Sequence, residues 1–253
     1  MSIAEKLTTI AENQQKVYEA GKEEGYEVGK EEGYEAGQKS EYDRFWDAFQ
    51  DNGVRDNYFY AFAGPCWTNE NFKPKYDMIL DYKQNNTNSG QNIFAFATNI
   101  YGSLKEIFDS SGVKFDTQYV RNPTNMFNQT KNITELPYVD LSGTLSTASQ
   151  VFYACGAETI KVTLPDRALN YNGCFRCSNL KNLEITGTID GTNFSVQWSD
   201  LTHTSLMSII NALKDHSQDT SGTTWLIILG PDNIAKLTDE ELNMIREKGW
   251  QYG

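Results

Sequence analysis

The sequence predicts an α+β protein: an N-terminal helical oligomerisation stem, a small β/α solenoid of short repeats, and a helical C-terminal cap. Three observations carry that expectation. Ile3, Leu7, Ile10, Gln14 and Val17 follow 4-3-4-3 spacing, the a/d seam of a coiled coil. Glycine recurs every fourth residue from Gly21 to Gly37, and tyrosine every eighth from Tyr18 to Tyr42. Downstream, four aromatic-led units between residues 96 and 185 each run into an apolar pattern of β type. The expected boundaries are 1–41 for the stem, 42–92 for an aromatic-rich collar, 93–200 for the repeats and 201–253 for the cap.

The stem begins at Ser2-x-x-Glu5, a capping box ahead of the apolar seam. Gln14 sits within that seam, where a polar residue sets register or oligomer number at some cost in stability. A short amphipathic helix packed on its own domain has the same spacing, so that reading stays open beside self-association. Beyond Val17 the seam stops, because its continuation falls on Gly21, Glu24 and Val28. Gly21, Gly25, Gly29 and Gly33 (with Gly37) would cost a lone helix roughly 4–5 kcal/mol relative to alanine. Each four-residue step also turns the glycine row by about 40°, so it cannot form one straight seam. Close helix crossing through small residues fits this spacing, with a loosely ordered linker as the alternative. The oligomerisation residues expected are therefore Ile3, Leu7, Ile10, Gln14, Val17, Gly21, Gly25, Gly29 and Gly33.

The collar opens on Ser40-x-x-Asp43, with Tyr42, Phe45, Trp46 and Phe49 on one helical face. Asp51-Asn52-Gly53 ends it, and an aromatic run broken by Gly-Pro and Lys-Pro-Lys turns follows. Most aromatics in such a run belong in a core. The repeats start at Phe96-Ala-Thr-Asn99, Phe127-Asn-Gln-Thr130, Phe152-Tyr-Ala-Cys155 and Cys174-Phe-Arg-Cys177. Their fourth positions are 31, 25 and 22 residues apart, and the last two intervals fall within the leucine-rich-repeat range. In the cap, Leu206, Ile209, Ile210 and Leu213 space a helix over Leu201–Asp215. Trp225–Leu229 is a continuous apolar run that suits a buried strand. Thr238-x-x-Glu241 is a second capping box, opening a helix through Leu242 and Ile245 toward Gly249. Such a terminal unit is what a solenoid needs to cover its last rung.

The unit CFRCSNLKNLEI at 174–185 resembles bacterial leucine-rich repeats of the surface-antigen type. IAENQQKVYEAGK, SEYDRFWDAFQ, CWTNENFKPKYD and the LTHTSLMSIINALKD…TSGTTW tail together resemble leucine-rich-repeat proteins of phages and prophages of gut Gram-positive bacteria. Asn99 and Thr130 stand where that repeat would have cysteine. The resemblance implies a virion structural protein: a fibre, tail appendage or head decoration. Its stem would assemble and dock, as a homo-oligomer with a trimer favoured by analogy to viral fibres. Its repeats would bind other virion proteins, or a host cell-surface glycan or protein. The alternatives are a purely architectural subunit and an enzyme that degrades surface polysaccharide. No binding residue carries over from the resemblance.

Composition limits the remaining classes. A net charge of −12 over 253 residues opposes nucleic-acid binding, which rests on clustered lysine and arginine. About half of that charge lies in the first fifty residues, marking an acidic stem rather than a membrane-surface helix. No apolar run approaches the roughly 20 residues of a membrane span, so no membrane insertion is expected. MSIAEKLTTIAENQQ has no basic or apolar signal region, which points to folding in a host cytoplasm before incorporation into a virion. Cys66, Cys155, Cys174 and Cys177 are then expected as reduced, buried thiols. Cys174-x-x-Cys177 lacks a second ligand pair, and the two histidines are His203 and His216, so no metal or cofactor is expected. No nucleotide loop or protease signature is present, and no catalytic residue is assigned. Ser199–His203 holds Ser, Asp and His, but nearness in sequence does not make a triad.

Overall fold

A computed structural model describes residues 62–80 and 90–253. The stem seam Ile3/Leu7/Ile10/Gln14/Val17, the glycines 21–33 and the helix expected after Ser40 lie outside the described residues. Contacts divide the chain into two units, Met1–Asp47 and Ala48–Gly253, and every described residue belongs to the second.

That unit is a coil in which each turn pairs in parallel with the next. Among the described residues its strands are β1 (Met78–Ile79), β2 (Gly102–Ser103), β3 (Phe115–Asp116), β4 (Ile133–Glu135), β5 (Val139–Asp140), β6 (Thr159–Thr163), β7 (Leu169–Asn170), β8 (Asn182–Thr186), β9 (Gly191–Thr192), β10 (Phe194–Ser195), β11 (Trp225–Ile228) and β12 (Trp250–Tyr252). The helices among the described residues are α1 (Leu104–Ser111), α2 (His203–Ala212), α3 (Pro231–Ile234) and α4 (Asp239–Glu247). In the main sheet β2 pairs with β4, β4 and β5 with one edge of β6, and β8 with its other edge. The best-formed pair, β6 with β8, sets Thr159 against Asn182 and Thr163 against Thr186, a step of 23 residues. Alternation follows from this geometry: Ile160, Val162, Leu183 and Ile185 point into the core, while Lys161 and Glu184 face out and form an ion pair.

The interior is organised around a phenylalanine stack. Phe62, Phe94, Phe127, Phe152, Phe175 and Phe194 follow one another with ring centroids 5.3, 5.4, 5.9, 5.5 and 5.2 Å apart. All six are fully buried. Each of the middle rings sits in a pair of consecutive turns. In the turn of Phe127, Asn128 N–H reaches Asn125 O and Thr130 N–H reaches Phe127 O; Tyr153–Gln150 and Cys155–Phe152 repeat this one turn later. The cost is a left-handed residue two before the ring (Asn92, Asn125, Gln150, Gly173) and two after it (Gly64, Phe96, Gln129, Ala154).

This stack corrects the repeat register. Phe96 does not lead its unit in the stack; Phe94 does, and Phe96 stands 46% exposed at positive φ. In the last unit Phe175 stacks, rather than Cys174 leading. The reason is that the turn's backbone bonds with its neighbour: Phe94 N–H donates to Met126 O, and Phe127 N–H to Val151 O. Residues 62–80, read from sequence as collar, supply the first described ring and β1. Leu104 and Ile107, read as β-type, lie on α1, and this helix is why the first interval is long. Ser103 caps it by accepting from Glu106 N–H, and Gly112 ends it in the left-handed conformation.

At the edge of the main sheet beyond β8, a helix takes the place of the next strand. Thr202 N–H donates to Lys181 O, and α2 then lies along the open edge of β8. Ser205 and Ser208 hydroxyls accept from Leu183 and Ile185 N–H at 2.8 and 2.9 Å, so side chains finish what a ladder would have satisfied. The α2 carbonyls of Ile210 and Asn211, and that of Leu213 beyond it, accept from Lys248 Nζ at 2.9, 3.0 and 2.9 Å. β10, β11 and β12 continue the parallel pairing, with Phe194 against Ile227 and Trp225 against Trp250. The run Trp225–Leu229 is less buried than its apolarity suggests. Leu226 is exposed and Ile227 buried, because the strand forms an outer wall with one face to solvent.

Candidate functional site

The chemistry-bearing residues singled out in the sequence go to separate structural tasks. Ser199 is buried and donates to Cys177 O, Asp200 pairs with Lys236, and His203 Nε2 meets Glu241 Oε1 at 2.8 Å. These three do not form a triad. Cys155, Cys174 and Cys177 are buried, and desolvation pushes all three thiols up. Thr130 Oγ1 lies 3.3 Å from Cys155 Sγ, and the Cys177 thiol donates to Phe152 O at 2.6 Å. Cys66 differs from the others in being exposed. Among the described residues no group of three histidine, cysteine or acidic side chains is placed to hold a metal.

His216 belongs to a second buried cluster. Its ring stacks on Trp225 at 3.7 Å and 1°, and Nε2 lies 3.4 Å from Asp190 Oδ1. That distance is within ion-pair reach, but the alignment makes no hydrogen bond. Asp190 is mainly Lys214's partner, at 2.6 Å, and this contact holds the lysine's pKa above its usual value. Trp250 Nε1 donates to Lys214 O. The cluster ties the cap to Asp190 through Lys214 and His216.

An open site lies on the outer side of the Phe stack. Tyr153 and Arg176 each follow a stacked phenylalanine on successive turns, Tyr153 half-buried and Arg176 exposed. Trp198 takes the corresponding place on the next turn, four residues after Phe194 instead of one. The Arg176 guanidinium lies 5.4 Å from the Tyr153 ring centre and 4.6 Å from that of Trp198. Trp198 is 53% exposed.

Beside this ladder is a groove of about 250 Å³, lined by Asn172, Arg176, Asn193, Ser195, Gln197 and Trp198 among others. No acidic side chain lines it. Asn193 Nδ2 is held by Asn170 Oδ1 at 3.1 Å, and Asn170 also fixes the Asn172 backbone. Ser195 Oγ is buried with no hydrogen-bond partner among the described residues. Sequence reasoning missed this site, although its signal was present: 153, 176 and 198 step by 23 and 22 residues, the tempo of the coil itself.

Comparison of the chain with family models, curated proteins and solved structures returns no match. The arrangement can therefore be read from its own chemistry: planar cation–aromatic stacking, free amides, and a hydroxyl awaiting a partner.

Proposed function

We propose that this chain is a phage virion structural protein, a fibre, tail appendage or head decoration, with a coil that engages a host-surface or partner molecule. The Tyr153–Arg176–Trp198 ladder, exposed at Arg176 and Trp198, carries the binding half of this reading. Tryptophan, tyrosine and arginine are the side chains enriched where binding energy concentrates. The virion half rests on the sequence resemblance and on the N-terminal seam. In this reading residues 3–17 and the following glycines assemble the protein as a homo-oligomer, with a trimer favoured.

Antibody labelling of phage particles, together with binding of the purified chain to host cells, tests the function. Labelled particles with cell binding support it. Labelled particles without cell binding favour a subunit that contacts only virion neighbours. Release of reducing sugar from host envelope, abolished by a carboxylate substitution, would replace it with an enzymatic role. For assembly, light scattering of the full chain and of a chain starting near Ser40 should give an oligomer and a monomer. Two monomers would end the stem proposal.

A further inference from the structure

We propose that the groove beside Trp198 is a saccharide subsite that takes a sugar residue bearing a carboxylate. This rests on the attachment reading above and names the chemistry of its ligand. Arg176 is covered on one side by Tyr153 and on the other by Trp198, since these lie on the preceding and following turns. Its N–H edge is what remains for binding. That edge forms no hydrogen bond or ion pair among the described residues, and no acid lines the groove to neutralise it. A guanidinium fork held flat by stacking matches a carboxylate bidentately and loses little side-chain freedom when it binds.

The rest of the lining selects a hydroxyl-rich ligand. Asn172 and Gln197 carry amides that make no side-chain hydrogen bond among the described residues, and each offers a donor and an acceptor. Ser195 Oγ, buried and without a hydrogen-bond partner among the described residues, adds a hydroxyl at the same groove. Ile228 and the Trp198 ring provide the apolar surface, too little for an apolar peptide anchor. The volume of about 250 Å³ is below the ~300–1,000 Å³ usual for larger ligands and suits about one sugar unit. A net charge of −12 works against a long polyanion, so the acidic sugar belongs at a chain end or branch.

The test titrates the full chain by calorimetry with tri-galacturonate, a hyaluronan tetrasaccharide and sialyllactose, using cellotriose and sodium phosphate for comparison. At least one acidic saccharide should bind tenfold or more tighter than cellotriose. Arg176→Gln should weaken it tenfold or more, and Trp198→Ala should abolish it. Both side chains are exposed, so circular dichroism and Tm should match the unaltered protein. Binding of cellotriose as tight as the acidic sugars, displacement by phosphate at equal concentration, or no binding of any acidic saccharide would overturn the proposal. Host-cell binding separates the two readings. A chain that binds an acidic saccharide but no cells keeps the groove and loses the attachment role. Cell binding unchanged by both substitutions keeps attachment and removes the groove.

Discussion

At the scale of single residues, Asn233 shows how much one polar side chain can organise. It is 1% exposed, and its Nδ2 reaches the carbonyls of Val196, Ser199 and Leu229 at 3.3, 2.9 and 3.0 Å. Its Oδ1 accepts from Leu201 N–H at 3.1 Å, so the turn of Phe194 and the turn of β11 meet on one amide. Asn233→Ala should cost about 2–4 kcal/mol in urea unfolding, because it strands several buried backbone groups at once. Ala154 presents the opposite case. Its φ of 50° is paid for by the bonds of the Phe152 turn, and a methyl group gains nothing there. Ala154→Gly should stabilise by about 0.5 kcal/mol, the left-handed strain relieved less the added chain entropy. A raised urea midpoint at unchanged slope would register it.

At the scale of elements, α4 is set by its ends. Thr238 accepts from Glu241 N–H at 3.2 Å, and Glu241 Oε2 accepts from Thr238 N–H at 2.9 Å. The bond from Thr238 N–H, the largest cause, with His203 adding to it, holds the Glu241 carboxyl below its usual value of 4.5. A carboxyl with a depressed folded pKa contributes stability that is present above its unfolded value and is lost as pH falls through the folded one. Thermal unfolding of Glu241→Gln should therefore differ from the unaltered protein at pH 6, and the difference should shrink below pH 4.5. A constant difference across that range would mean that the carboxylate is not what caps the helix. The same scale explains where α2 ends. Lys248 brings its charge to the last carbonyls of the helix, and its burial there lowers its own pKa.

At the scale of the molecule, the Phe stack makes the coil a chain of nearest-neighbour contacts. Phe152 touches rings on both sides, at 5.9 and 5.5 Å, so its removal breaks two interfaces. Phe152→Ala should cost about 3–5 kcal/mol, a large share of the roughly 5–15 kcal/mol of a whole domain. Phe152→Leu should cost less than half as much. Equal losses would show that volume alone is not what the stack contributes. Close stacking also restricts the backbone between turns. A side chain at Gly191 would put its Cβ 1.8 Å from Leu169 O, so the turns can approach there only through glycine.

Local signals in the sequence determined the parts whose physics is local. Thr238-x-x-Glu241 marks the start of α4 because capping acts within three residues. Leu183-Glu184-Ile185 reads as strand because its alternation belongs to one segment. Ser103-x-x-Glu106 and Gly112 carry local signals of the same kind for α1, and the sequence reading did not use them. The tempo of 22 to 25 residues was visible from the paired fourth positions Thr130, Cys155 and Cys177. Tertiary structure alone decided that Phe94 and not Phe96 joins the stack, since that depends on which carbonyl of the next turn each N–H reaches. It also decided that Arg176 lies between Tyr153 and Trp198. Residues more than twenty positions apart become neighbours only when the turns close on one another, and no periodicity within a single turn records that meeting.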